Sequence, residues 1–565
     1  MKDKNVLKRF LKWIEIPVDP DAVTTTASYN RDTLPLPPSR RTYGPWQFVG
    51  LWIVTGSFNI GGWTTGSSIM ALGLNVWQAM ITVIVGHCMV AAICLLSGFP
   101  GAKWHIGFPI LQKSSWGMYG GYFPLINRIF LSFIWYSTQV WWGGQCIKTF
   151  LTAIAPSYRN LNKPLANGTM TTGDFCAFVV FSILCLPIIW IPPERYHKFF
   201  AASALMVIPC VFALLGWCVA TAGGPGLLVT NPEAVGISEA TGSNLGWMFV
   251  LGIVSNIGGI STHIFSQSDF TRFARKPADQ VLSQIVMVPL GTIVVSLIGI
   301  MCTSCAAEIF PDAGYLMWEP FDLLANIQSN FNDSSRSRCA VAFASICFIM
   351  SQFGIAVAEN ALSNGIDLSG LCPRYFNLHR GGYLTAAIAF VMQPWQLLNG
   401  ASKFLSVVGG YAVFLGPFSG VMFADYYYVR RRNLKLTHLY EATEASNYWY
   451  TKGVNWRAPV CWIMGVWPLL PGFAWYVQHG AGPDNMGGWS HIYYLSWIVG
   501  CLISFTLYAV SSHIWKFKDP MAVDDEDYFG TFTEKGITLP PEMEVFEASD
   551  NSSLATEDQE MLDKD

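Results

Sequence analysis

The sequence predicts an all-α polytopic membrane protein with 12 transmembrane helices, on three observations. Of 565 residues, 52% are apolar and 13% charged, where a soluble domain carries about 25% charged residues. The apolar residues, with 23 Trp and 51 Gly among them, fall in runs of the ~20 residues a helix needs to cross a bilayer. Lys and Arg are distributed very unequally between alternate loops. Mean hydropathy is +0.35. Together these exclude a water-soluble enzyme, a disordered chain, a disulfide miniprotein and a coiled coil.

The spans, numbered 1 to 12 in chain order, fall at 46–65, 74–97, 125–148, 174–192, 199–222, 244–264, 281–303, 339–365, 382–396, 404–428, 456–478 and 489–513. Several contain Gly or Pro, which spanning helices tolerate where neighbours satisfy the freed backbone groups. The chain therefore divides into a cytoplasmic N-terminal segment 1–45, a transmembrane domain 46–513 and an acidic cytoplasmic tail 514–565. The first segment is polar, with early basic residues and a Pro-rich stretch at Pro35–Pro38. No basic start, short apolar run and small-residue cleavage site opens the chain, so a cleaved signal peptide is not expected. Residues 516–565 hold 15 Asp or Glu and 4 Lys, a net charge of −11. Such a tail cannot bury a core and is expected to be disordered. It is either a solvated end or a signal read by trafficking or ubiquitylation machinery.

With both termini cytoplasmic, 16 Lys and Arg fall in the inner loops against 5 in the outer ones, namely Arg159, Lys163, Arg336, Arg338 and Lys403. This is a strong positive-inside bias. The N-x-[ST] sequons at Asn167 and Asn332 then lie outside, where glycosylation would require them, and the one at Asn551 lies inside and silent. The expected location is the plasma membrane.

The 14 Cys are scattered, mostly in apolar runs. Cys302 and Cys305 have metal or redox spacing but no second pair or His cluster, so they read as packing thiols. No phosphate loop, G-x-S-x-G or H-E-x-x-H motif occurs, which leaves no ATP-driven pump and none of the easiest enzyme readings. No cofactor, metal or nucleic-acid partner is expected; the partners are the lipid bilayer and a small molecule.

Residues unusual for a membrane point to what is moved. Span 1 runs through Gly56, Ser57, Asn59, Gly61, Gly62, Trp63, Thr64 and Thr65; span 6 runs through Ser255, Asn256, Gly258, Gly259, Ser261, Thr262 and His263. Interrupted helices at corresponding places in two five-span halves point to a secondary transporter with inverted repeats. The alternative is small-residue helix packing. In span 3, Trp135 and Gln139 share a helix face, a flat π surface beside an amide that suits a planar heterocycle. The alternative is an interfacial Trp with a packing Gln. In span 8, Glu359 is an ionisable residue in an apolar run, a functional residue by default, and burial favours its protonated form. The alternative is a structural ion pair with a cation such as Lys148. Asn360 is a second amide for a polar ligand, although adjacent helical side chains diverge by about 100°.

The sequence resembles the type-one nucleobase–cation symport family, in its fungal branch of uracil, uridine and allantoin permeases with thiamine and nicotinamide riboside relatives. The resemblance runs from Arg31-Asp32 to about Gly472. It is carried by Arg40-Arg41-Thr42, Phe58-Asn59 through Trp63, Gly73-Leu74-Asn75-x-Trp77-Gln78, Trp135-Tyr-Ser-x-Gln139, Ser268 through Ala274, Gly365-Ile-Asp367-Leu368 and Tyr448 through Arg457. It implies a five-plus-five inverted repeat of the LeuT-like kind, with broken helices 1 and 6, two further helices and alternating access. It implies a substrate between spans 1, 3, 6 and 8. Trp135 and Gln139 match the stacking and hydrogen-bonding pair, and Asn360 matches the span 8 Asn; Asn59, Trp63, Thr64 and Ile260 complete the expected site.

Three departures qualify this. Ser351, Gly354 and Ile355 stand where sodium-coupled members carry hydroxyls, so H⁺ is expected as the coupled ion ahead of Na⁺. Thr64 replaces a frequent Gln, and Ile260 a frequent aromatic, leaving room for a bulkier substrate. The expected function is proton-coupled import of a nucleobase-related heterocycle of the uracil, uridine or allantoin class. The alternatives are a thiamine or nicotinamide riboside importer and, from another class, a non-transporting nutrient sensor. Cysteine labelling in intact cells checks the orientation: positions 167 and 332 should label from outside and position 551 should not. Labelling at 551 as ready as at 167 would show this orientation to be wrong.

Overall fold

A computed structural model of the chain describes residues 12, 15–16, 32–54, 56–191, 196–480 and 486–533. Asn551, the early basic residues Lys2 to Arg9 and the tail beyond Thr533 lie outside the described residues. Spans 2, 4, 5, 7, 8, 10, 11 and 12 are Val76–Trp104, Thr172–Ile189, Lys198–Ala222, Asp279–Ile309, Ser335–Leu371, Ala401–Val429, Arg457–His479 and Ser496–Ile514, each long and apolar enough to cross a membrane. Span 3 is one helix, Tyr122–Ile154.

Local chemistry sets where the helices begin. At span 2 the Asn75 carboxamide accepts from the Gln78 N–H at 3.0 Å, and the Gln78 side chain accepts from the Asn75 N–H at 2.9 Å. This reciprocal cap satisfies two backbone donors that the helix itself cannot. Gly73 ahead of it has φ +76°, and a Cβ there would stand 2.3 Å from the Ser238 carbonyl oxygen. The Gly73-x-Asn75 motif is thus a turn and a cap.

Spans 1 and 6 are broken. Span 1 runs Pro45–Val54, loses helical order through Gly56–Asn59, and restarts as Ile60–Ser67 with Asn59 accepting from the Gly62 N–H. Span 6 runs Gly242–Gly259, breaks at Ile260, and continues as Ser261–Phe265. Span 7 packs along the second half of span 1, span 2 along the first half of span 6, and span 3 along span 8. Spans 10, 11 and 12 pack together at one side.

Two expectations need correction. Span 9, read as 382–396, is a helix of only 11 residues, Leu378–Ile388, followed by turns and the short Pro394–Leu397. At 1.5 Å per residue its helical part covers about 16 Å, about half the hydrocarbon core; Pro394 removes a donor and sets the preceding residue outside the helical region. The tail is not loose from Lys516 onward. The Thr437 hydroxyl donates to Asp524 at 2.5 Å, Phe529 is buried against Tyr440, and Phe532 meets Trp104 edge-on. Aromatic residues at 529 and 532 supply the apolar area that an average over the whole tail hides.

The sequons sit in exposed turns. Asn167 tips a two-stranded hairpin, Pro164–Leu165 with Met170–Thr171, and Asn332 follows a loop helix Pro320–Asn330. On the opposite, basic side, buried Arg128 of span 3 reaches Asp269 after span 6 at 3.0 Å, and also Asp367 and Ser363 of span 8. One guanidinium therefore ties three elements together, and its planar fork suits several oxygens at once. Removing one partner of a buried ion pair costs about 3–5 kcal/mol. Arg128→Met, which leaves two buried carboxylates facing each other, should lower the melting temperature in detergent accordingly; an unchanged melting temperature would show that the cluster does not hold the bundle.

Candidate substrate site

The breaks in spans 1 and 6 face each other across a central cavity. Its walls are Asn59, Gly61, Gly62 and Thr65 from span 1, Trp135 and Gln139 from span 3, Gly259, Ile260 and His263 from span 6, and Ile355, Glu359 and Asn360 from span 8. Gly56 of span 1, Asn256 of span 6, Thr292 of span 7, His87 of span 2 and Phe404 of span 10 complete it. Five of the seven residues expected at the substrate, with Glu359, are thus brought together.

Two are not. Trp63 is buried and packs edge-on to Phe348 of span 8 at 6.2 Å. Thr64 is fully buried, and Thr65 lines the cavity instead. A helix turns about 100° per residue, so an offset of one moves the hydroxyl off the cavity wall. Both hydroxyls donate to the Gly61 carbonyl, at 3.1 Å and 2.7 Å.

The freed carbonyls of span 1 are covered. Thr292 of span 7 donates to Gly56 at 2.9 Å and Ser351 of span 8 donates to Phe58 at 2.5 Å, while Ser296 donates to Gly62 inside the restarted helix at 2.8 Å. Of the three positions compared with a sodium site, Ser351 is thus engaged with backbone, Gly354 has no side-chain oxygen and Ile355 has an apolar side chain.

Trp135 is held by rings on one side: Tyr411 at 5.7 Å, Phe404 at 6.4 Å and Trp142 at 6.5 Å between centroids. Gln139 has a partner that sequence reading missed. The Gln352 amide donates to the Gln139 side-chain oxygen at 2.5 Å and to its backbone oxygen at 3.0 Å. The Gln139 Nε2 lies beside Gly61. Gln139 therefore offers the cavity a donor. Asn360 Nδ2 donates to the Ile355 carbonyl five residues back, at 2.9 Å, which leaves Oδ1 as its acceptor.

That five-residue reach belongs to a π-helical stretch, Gly354–Ala361, inside span 8. Its wider turn places adjacent Glu359 and Asn360 on one cavity, which corrects the expected divergence. Such stretches recur at functional sites. Glu359 is not paired with Lys148, which binds Asp174 at 2.6 Å. Its partner is His263, with Nε2 at 2.5 Å from Oε1. The span 6 sequence contained His263 as an ionisable residue in a membrane, but its pairing across the bundle had no local signal.

Above the cavity, Trp142 donates to Glu319 at 2.8 Å and Trp318 packs on Phe404 at 5.4 Å. Burial holds the Glu319 carboxyl well above the usual range, with Asp322 adding to the shift. Burial also raises Asp322, to about 6. Two buried carboxyls thus sit beside the aromatic rings on this side of the cavity.

A protein family described as permease for cytosine/purines, uracil, thiamine, allantoin matches residues 35–500. The chain is 34% identical to the uridine permease of Saccharomyces cerevisiae, over 88% of this chain and 76% of that one. It is 31% identical to the thiamine transporter THI72 of the same yeast, over 94% and 86%. Its fold matches Mhp1, a nucleobase-cation-symport-1 family transporter in a closed conformation with bromovinylhydantoin bound, at 18% identity and TM-score 0.67, covering 89% of this chain and 99% of that one. A multi-pass membrane permease and not an enzyme, the chain belongs to the nucleobase–cation symport family of cytosine/purine, uracil, thiamine and allantoin permeases.

Proposed function

We propose that the chain is a plasma-membrane, proton-coupled importer of a neutral heterocycle of the uracil, uridine or allantoin class, with both termini cytoplasmic. One observation carries the substrate class. Beside the Trp135 face, Gln139 Nε2 is a donor and Asn360 Oδ1 an acceptor, because their other ends are taken by Gln352 and the Ile355 carbonyl. A donor and an acceptor on one cavity suit an edge on which C=O adjoins N–H, as in uracil and hydantoin rings. Thiamine carries no carbonyl and meets such a pair only with the ring nitrogen and amino group of its aminopyrimidine, while its thiazolium adds a positive charge. A second reading, a nicotinamide riboside importer, is favoured by Glu359: a carboxylate in the cavity balances a cationic ring, and the carboxamide offers C=O and N–H.

Proton coupling is supported by the same wall. Na⁺ needs oxygens in place of its water, whereas Ser351 caps Phe58 and Ile355 is apolar. Glu359, 6% exposed and paired with an imidazole, is a group that can carry a proton across.

Uptake competition among labelled uracil, uridine, allantoin, nicotinamide riboside and thiamine tests the class; competition by thiamine alone would remove the donor–acceptor reading. Trp135→Ala, Gln139→Ala and Asn360→Ala should each weaken binding by about 1–3 kcal/mol, from lost stacking or an unpaired polar edge. Normal affinity at normal surface expression in all three would move the site elsewhere. Glu359→Gln mimics the protonated carboxyl. It should bind substrate yet fail to accumulate it against a gradient, measured at several pH values with and without Na⁺. Full, pH-sensitive accumulation by this variant would remove Glu359 from coupling, and strict Na⁺ dependence of the parent would remove the proton.

A further inference from the structure

A second cavity lies beneath the first, on the side of the basic loops. It is lined by Asp32, Arg40, Asp269, Phe270, Arg272 and Ala358, among others. The two cavities share a thin septum. Glu359 faces the upper one, and its neighbour Ala358 faces the lower one. His263 faces the upper cavity, and Phe270, which lines the lower one, stacks flat on its ring with centroids 5.5 Å apart and planes 11° apart. Trp52 of span 1 closes another side of the imidazole, edge-on at 6.3 Å. His263 is thus the one titratable side chain that both touches Glu359 and lies against the lower cavity's wall, among the described residues lining the two cavities.

The geometry points to His263 as the relay through which the proton on Glu359 leaves toward the cytoplasm. This rests on the proton-coupled reading above and adds the exit step. The proton moves from Glu359 Oε1 to His263 Nε2, leaving a carboxylate and an imidazolium. When Phe270 withdraws, the imidazolium gives one proton to water in the lower cavity and becomes neutral. The pair has then lost one proton and carries one negative charge, which reloading from the outer side cancels. An imidazole suits this because its ordinary pKa lies near neutrality and it both takes and gives a proton at a ring nitrogen.

The charged and titratable surroundings fit the direction. In the upper cavity the other titratable group is His87 of span 2, held by the Val83 carbonyl at 3.0 Å. In the lower cavity Asp269 is engaged by Arg128 and by the Phe108 N–H, and Arg272 donates to the Asp32 carbonyl at 2.7 Å. Tyr43 and Tyr196 complete its titratable lining with Arg40. The lower cavity thus offers a released proton a polar wall with carboxylates.

The test uses the full chain reconstituted in vesicles. His263 lines the substrate cavity, so a His263→Gln variant is read by the ratio of net accumulation to exchange of labelled for unlabelled substrate at saturating substrate, because exchange needs no net proton exit. The variant should lose proton-driven accumulation and the pH dependence of net uptake. Parental accumulation by the variant, with a proton-driven parent, would overturn the relay while leaving proton coupling intact. Equal loss of binding, exchange and accumulation would assign His263 a structural role and also overturn it. A parent that accumulates substrate on Na⁺ alone would overturn both readings. A second variant, Phe270→Ala, keeps both carrier groups and uncovers the imidazole. It should leak protons without substrate; vesicles as proton-tight as the parent's would count against the septum and the exit step.

Discussion

The constraint on which the rest of the structure depends is that backbone freed inside a membrane must find partners within the protein. Breaking span 1 between Val54 and Ile60 strips several carbonyls of their helical donors. The bundle answers with hydroxyls at fixed places, Thr292 on span 7 and Ser351 on span 8, and Ser296, one helical turn from Thr292, bonds the restarted helix at Gly62. Asn59 answers at the other end by capping the restarted helix. These side chains have to come from neighbours packed closely enough to reach. Small residues at the contact allow that: a Cβ on Gly66 would stand 2.4 Å from the Ser296 carbonyl oxygen. The reading of the span 1 glycines as helix packing and the reading of them as a broken helix are therefore both correct, at different positions.

Once the break is held open, the site follows from what else crosses the midplane there. Span 3 brings Trp135 and Gln139 on one helical face, and span 8 brings Glu359 and Asn360. In a regular α-helix the last two would diverge. The π-helical stretch lets Asn360 bond the carbonyl five residues back and keeps both side chains on the cavity. A wider turn leaves one residue without its ordinary place in the helical ladder, which is tolerable where neighbouring helices bury the whole stretch, as they do between Gly354 and Val357.

What was legible in the sequence divides along the range of the interaction. The long apolar runs, the two interrupted spans and the Trp135–Gln139 pair are local patterns, and the structure carries all of them. Thr64 was misplaced by a single residue, because the phase of a helix that restarts after a break is set by its packing against spans 7 and 8. Span 9 was overestimated because its apolar run continues past the point where Gln393 takes a left-handed conformation ahead of Pro394. The partners of Gln139 and Glu359 lie 213 and 96 positions away, in Gln352 and His263. A single sequence contains no local signal for such pairs, although His263 stood out as a polar group in an apolar run.

The long-range pairing is also where the chemistry concentrates. Glu359 and His263 touch, so the charge the cavity carries is the pair's. With the carboxylate charged and the imidazole neutral, the pair carries one negative charge; with one more proton it carries none. Closing a cavity in the membrane around an uncompensated charge is costly. Under the proposed coupling, a neutral ring supplies no compensation, so the closed state favours the loaded pair, and that difference in affinity between open and closed states is what coupling requires. A cationic ring would compensate the charge itself and take the proton's place. The charge of the substrate and the need for a proton are then one question asked of the same two side chains.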